Sequence, residues 1–153
     1  MRYKLILLGF VIFFVGVVPL MAASDALPEP LPGWTEEETM TGVPGGIASC
    51  NYKKENSDIV IAFMVNADAA QGVLMALNNP IIASGPGIDV VTIRGQKALQ
   101  SYFDGSGEIS IVLDKKIIVT VMGSGLQSME PLLAYARAID FNKIRRATRT
   151  SIE

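Results

Sequence analysis

The chain has 153 residues, with 13 Lys+Arg against 15 Asp+Glu, no histidine and one cysteine, Cys50. Without histidine there is no Ser-His-Asp or Cys-His nucleophile pair and no histidine-ligated metal site; with one cysteine there is no thiolate zinc site, iron–sulfur cluster, CxxC redox pair or internal disulfide. The mildly acidic balance also argues against nucleic-acid binding, which needs clustered positive charge.

The first 23 residues read as an export leader. Arg2 and Lys4 make a basic start, Leu5 to Leu20 is apolar and uncharged, and small residues follow at Ala22 and Ala23. The run lies between a signal core of about 7–15 residues and a spanning helix of about 20. Pro19 and the alanines favour cleavage after Ala23, with Ala22 and Ala26 as alternatives because Met21 stands where a small residue is preferred. Retention as a single N-terminal anchor in the inner membrane is the other reading. In both, the rest of the chain is exported and is periplasmic or secreted. Two of the 13 basic residues lie in the leader, leaving 11 against 15 acidic ones.

Residues 24–33, with Pro28, Pro30 and Pro32, form a connector predicted to be extended and solvated. Trp34 follows, read as a hydrophobic plug that pins the connector to the core rather than as a ligand-stacking ring. Thr35 and Glu38 match a capping box and predict a short helical turn. Strands are predicted over Ile47–Tyr52 and Ser57–Val65. Both faces of the second are apolar, so it should be central and covered on both sides. Asn66 or Asp68 can cap a helix to about Asn78, ended by Pro80.

Four strands follow: Ile88–Ile93, Lys97–Phe103, Glu108–Leu113 and Ile117–Met122. Turns separate them at Arg94-Gly95-Gln96, Asp104-Gly105-Ser106-Gly107 and Asp114-Lys115-Lys116. A last helix starts near Ser128, with Met129, Leu132, Leu133, Ala136 and Ile139 on one stripe. The fold class is therefore α+β: an antiparallel sheet of about five to six strands packed by two helices, in the order ββαββββα. The single domain is placed at residues 34–142, followed by a basic, frayed tail over 143–153.

Positive signals for chemistry are few. Glu36, Glu37 and Glu38 are adjacent and diverge, so they read as a solvated face rather than a calcium site. Asp104 to Glu108 holds only two carboxylates and reads as a plain hairpin turn. Gly123 to Ser128 nearly matches GxGxxG, but no βαβ unit surrounds it, so a turn into a capped helix is the reading. Lys97 could activate Ser101 or Ser124. Cys50 reads as a small buried hydrophobe, with a reactive thiol as the alternative. No catalytic, cofactor-binding or metal-ligating residue is assigned, and no cofactor is implied.

The segments Leu31-Pro32-Gly33-Trp34, Ile93 to Ala98, Gly107 to Ile111 and Ala134 to Phe141 resemble a group of small exported bacterial proteins of unknown function. The strand–helix order is similar to that of Mog1/PsbP-like exported domains. Neither resemblance implies a site. The expectation is a non-enzymatic periplasmic domain that binds an envelope protein or a small ligand, with no nucleic-acid partner and with membrane attachment only if the leader is retained. The alternatives are an envelope hydrolase using carboxylates or a Ser–Lys pair, and an inner-membrane-anchored accessory protein.

Overall fold

Three tight turns in the second half of the chain set the architecture. Arg94-Gly95 and Asp104-Gly105 are two-residue loops with positive φ at both positions, the primed geometry that matches strand twist. Asp114 and Lys115 also take positive φ at the third turn. These turns fold β4 (Ile88–Ile93), β5 (Gln96–Phe103), β6 (Ser106–Leu113) and β7 (Ile117–Ser124) into an antiparallel meander. The computed structural model describes residues 24–43 and 47–149. Residues 1–23, 44–46 and 150–153 lie outside the described residues, the predicted leader among them.

The first half is a second meander: β1 (Thr35–Val43), β2 (Ile47–Lys54) and β3 (Ser57–Val65). β3 pairs with β7 and joins the two into one seven-stranded antiparallel sheet, β1-β2-β3-β7-β6-β5-β4. Between β3 and β4 the chain crosses the sheet through α1 (Ala67–Asn78) and a single turn, α2 (Pro80–Ala83). Asn66 caps α1 by accepting from Ala69 N–H at 2.9 Å, as its sequence position implied. Pro80 ends α1 and occupies the start of α2, where its missing N–H costs nothing. After β7 come α3 (Glu130–Ala138) and α4 (Phe141–Arg149). Among the described residues no helix is long and apolar enough to cross a membrane.

The core lies on one sheet face. Tyr52, Ile59, Ile61, Phe63, Ile109, Ile111, Val119 and Val121 are buried there against Leu132, Tyr135 and Ala136 of α3 and Ile144 of α4. α1 covers the opposite face over β5, β6 and β7, where Val112 and Ile118 are buried. β3 is interior, but only Ile59, Ile61 and Phe63 are fully buried, while Val60, Ala62 and Met64 remain half-buried. Its second face is covered only in part.

The α+β class and the antiparallel sheet hold, with seven strands rather than five to six. The added strand is β1. Thr35 to Glu38 is strand, not a helical turn, because no apolar helical stripe follows the capping pattern and pairing with β2 satisfies the backbone instead. The connector is solvated only in part: Asp25, Glu29, Pro30, Pro32 and Gly33 are exposed, but other positions are tied to the core. Ala26 is buried in the core, Leu31 N–H donates to Tyr135 Oη at 3.1 Å, and Tyr52 Oη–H donates to the Pro28 carbonyl. Trp34 packs edge-on against Tyr135, ring centroids 5.9 Å apart, and serves as the expected plug. The segment from Lys143 to Arg149 is not frayed but helical, because Ile144, Ala147 and Thr148 are buried.

α3 is shorter than its stripe suggested and starts at Glu130. Ser128 Oγ lies 3.4 Å from Glu130 N, too long for a strong cap. At its other end Arg94 Nη1 donates to the Ile139 carbonyl at 3.0 Å and the Arg137 carbonyl at 3.3 Å, placing positive charge at the helix C-terminus. Asp140 then starts α4, accepting from Asn142 N–H and Lys143 N–H, both at 3.0 Å. The Lys143 bond chiefly holds the Asp140 carboxyl below its ordinary 3.8; slight burial opposes this and the Asn142 bond adds to it. A lowered folded pKa means the stabilisation is whole above about pH 4 and is lost as pH falls through the lowered value. Asp140→Ala should cost about 1 kcal/mol in urea unfolding, the usual loss for an N-cap. Asp140→Asn keeps an acceptor and should cost less, and its difference from the native chain should shrink below about pH 4.

Candidate functional site: an open groove at the sheet end

The hairpin register places Ile88, Ser101, Glu108 and Met122 in one row across β4, β5, β6 and β7, on the face opposite the core. Phe103 and Ser106 pair in the next row. α1 and α2 cover this face farther along the strands, so the row opens into a groove of about 530 Å³, with Pro86 and Gly87 at its rim. Phe103 is 84% exposed and Met122 41%. Glu108 is steered by Ser110, whose Oγ–H donates to Oε1 at 2.7 Å. Asp104, in the β5–β6 turn, adds a second carboxylate to the lining. The arrangement offers an apolar surface beside negative charge, on a rigid antiparallel frame.

Of the groove residues, the sequence offers Ser101 as a partner of Lys97, and Asp104 and Glu108 as carboxylates of a plain turn, but Phe103 and Met122 do not stand out in it. The only available signal was parity: Lys97, Leu99, Ser101 and Phe103 share a strand face away from buried Ala98, so Phe103 had no core to enter. A second cavity of about 270 Å³ lies between Val65, the β6–β7 turn and the end of α4. Two of its polar groups have partners: Asp114 pairs with Arg145 at 3.1 Å, and Thr148 Oγ–H donates to the Ile144 carbonyl at 2.9 Å; Lys116 and Arg149 also line it.

The sequence candidates separate in space. Lys97 and Ser101 lie four residues apart on β5, about 13 Å between Cα atoms at strand rise, with Leu99 between them. They are out of reach for direct proton transfer. Ser124 lies at the far end of β7, six register rows from Lys97, which shares a row with Ile118. Glu36, Glu37 and Glu38 diverge along edge strand β1. Glu36 accepts from Thr39 Oγ–H, Glu37 lies 3.6 Å from Lys53 Nζ, and Glu38 stands opposite Asn51. Among the described residues no group of three His, Cys, Asp or Glu side chains is arranged to hold a metal ion.

The Gly123–Ser128 loop is used for packing. Gly107 and Gly123 face each other across β6 and β7. A Cβ at Gly107 would come within 2.7 Å of Leu132 Cδ1 and Met129 Sδ, and one at Gly123 within 2.8 Å of Leu126 Cδ1. Leu126 N–H donates to the Gly105 carbonyl at 2.8 Å, and the Leu126 carbonyl accepts from Tyr102 Oη–H at 2.9 Å. The Gly125 carbonyl accepts from Ser57 Oγ–H at 2.7 Å. The loop thus ties the β2–β3 and β5–β6 turns together.

Cys50 is buried on the core face with Thr39 Oγ1 3.2 Å from its Sγ. Burial pushes its thiol above the ordinary 9.0, partly offset by the Thr39 hydrogen bond. It is a packing residue.

No family profile and no curated protein sequence matches the chain. Among solved structures, a GTP binding regulator from Thermotoga maritima is similar at 10% identity, over 76% of this chain and 82% of that one, with a TM-score of 0.45. At that score the likeness bears on neither site nor function.

Gly125 takes φ +67°, and a Cβ there would sit 2.2 Å from the Asn56 carbonyl oxygen. Gly125→Ala should therefore cost about 2–4 kcal/mol in denaturant unfolding, combining backbone strain with a clash. Gly72, on α1, has open space where a Cβ would stand. Gly72→Ala should stabilise by about 0.5–1 kcal/mol. Cys50 should react with a thiol reagent such as Ellman's only as fast as the protein unfolds, seen as matching rates of modification and of denaturation.

Proposed function

We propose that the chain is an exported, periplasmic, non-enzymatic domain that binds an envelope protein through the groove at the β4–β7 end of the sheet. Export is carried by the basic, apolar, small-residue pattern of residues 1–23. Binding is carried by one observation above all: the exposed Phe103 and Met122 beside Glu108 in a concave row. A large exposed aromatic marks a contact surface, because burying it in a complex removes apolar area from water. The groove is open along one side. It suits an extended segment of a protein better than a small molecule, which is usually enclosed over most of its surface. Asp104 and Glu108 favour a segment that carries a basic residue among apolar ones. Attachment to the inner membrane would follow only from a retained leader.

The test is photo-crosslinking in intact cells. A crosslinking amino acid at position 103 should capture a discrete envelope protein, and one at Met40, on the distant edge strand, should not. Glu108→Lys should reduce capture at position 103 severalfold. Capture at neither position, or equal capture at both, would overturn the reading. Protection of the groove by a small-molecule fraction alone would replace the protein partner with a small ligand. Cell fractionation with N-terminal sequencing reads the location and the fate of residues 1–23.

A further inference from the structure

We infer that β4 is a self-association edge at which a second copy of this chain pairs its own β4 antiparallel, making one continuous sheet across a two-fold axis. The two edges of the sheet differ in kind. β1 carries three glutamates and breaks register at Glu36/Glu38 and at Thr41/Val43, devices that discourage strand addition. β4 pairs with β5 in unbroken register and reads Ile-Asp-Val-Val-Thr-Ile, without proline, lysine or bulge.

The hydrogen-bond phase of β4 is legible. Tyr102 N–H donates to the Gly87 carbonyl at 3.0 Å, so the Gly87 phase faces β5 and the main-chain groups of Ile88, Val90 and Thr92 face outward. Ile88 N–H is already taken by the Gly85 carbonyl at 3.0 Å, as an outward-facing group can be. The Ile88 carbonyl and both groups of Val90 and Thr92 stand at the free edge.

A two-fold axis perpendicular to the sheet must pair a residue with itself. Centred on Val90, it sets Val90 opposite Val90 of the second copy and Thr92 opposite Ile88 of the second copy. All of these outward groups but the Thr92 carbonyl then gain a partner: Val90 bonds its counterpart in both directions, and each Thr92 N–H donates to an Ile88 carbonyl, while the Thr92 carbonyl faces an Ile88 N–H already held by Gly85. Asp89 falls opposite Val91 of the second copy, so no like charges meet. Val90 is 41% exposed, and α2, packed beside β4, carries Ile81 at 83% and Ile82 at 43% exposure. A self-complementary register flanked by apolar side chains is the requirement of an isologous interface. Pairing at β4 is independent of what occupies the groove.

The chain as recovered from producing cells should run at twice its monomer mass in sedimentation or light scattering. Val90→Lys sets two ammonium groups side by side on strands about 5.5 Å apart at Cα and should weaken association at least tenfold, with circular dichroism unchanged. Val90→Cys should crosslink two chains on oxidation, since that spacing falls within disulfide range, whereas Met40→Cys on β1 should not. A monomer at all concentrations, a dimer indifferent to Val90→Lys, crosslinking through Met40→Cys alone, or capture of a different protein by Val90→Cys would each overturn the assignment.

Discussion

Two glycines facing each other in the sheet govern how closely the rest of the chain can approach it. Gly107 and Gly123 leave a bare patch on the core face of β6 and β7. Leu126, Met129 and Leu132 settle into that patch at distances a Cβ would forbid. Because Leu132 sits low, α3 lies against the sheet and carries Tyr135 into full burial. Tyr135 then stacks on Tyr52 with centroids 4.5 Å apart, a pair worth about 0.5–1.5 kcal/mol beyond the area it buries. Its hydroxyl meets Leu31 N–H and holds the N-terminal segment over the core.

The same close approach organises the other end of the molecule. Leu126 is tied to Gly105 and Tyr102, so the β5–β6 turn is braced from the core side. Phe103 and Asp104 therefore project from a fixed frame rather than a free hairpin tip. A groove formed by one row of strand residues and a braced turn presents its surface ready-made, which lowers the ordering cost of binding. β4 is braced in turn by Arg94, which reaches across to the carbonyls at the end of α3.

Local chemistry was readable where it was self-sufficient. The turns at Arg94-Gly95 and Asp104-Gly105 announce themselves because each carries a glycine, which takes positive φ freely, and strands β2 to β7 follow from the apolar runs between such turns. Asn66 could be recognised as a cap because its partner is only three residues away. The misreadings share a cause. Thr35 to Glu38 carries a helix-start pattern, yet the β2 edge offers stronger pairing. The connector and the Lys143–Arg149 segment look polar in isolation, but each supplies a few apolar residues, Ala26 in one and Ile144 in the other, to a core assembled from distant parts of the chain.

The amino-acid sequence by itself determined the strand alternation, the hairpin turns, the α+β class, and a histidine-free chain with one cysteine, because each depends on neighbouring residues or on composition alone. Only the tertiary structure decided that β1 is an edge strand, that both ends of the described chain are packed, that Lys97 and Ser101 stay apart and that Phe103 lies in a groove. Those outcomes depend on which surfaces face each other after folding: where α1 and α2 stop covering the sheet, and how near Gly107 and Gly123 let α3 come. Exposure is a property of the assembled surface, and no local pattern in the chain encodes it.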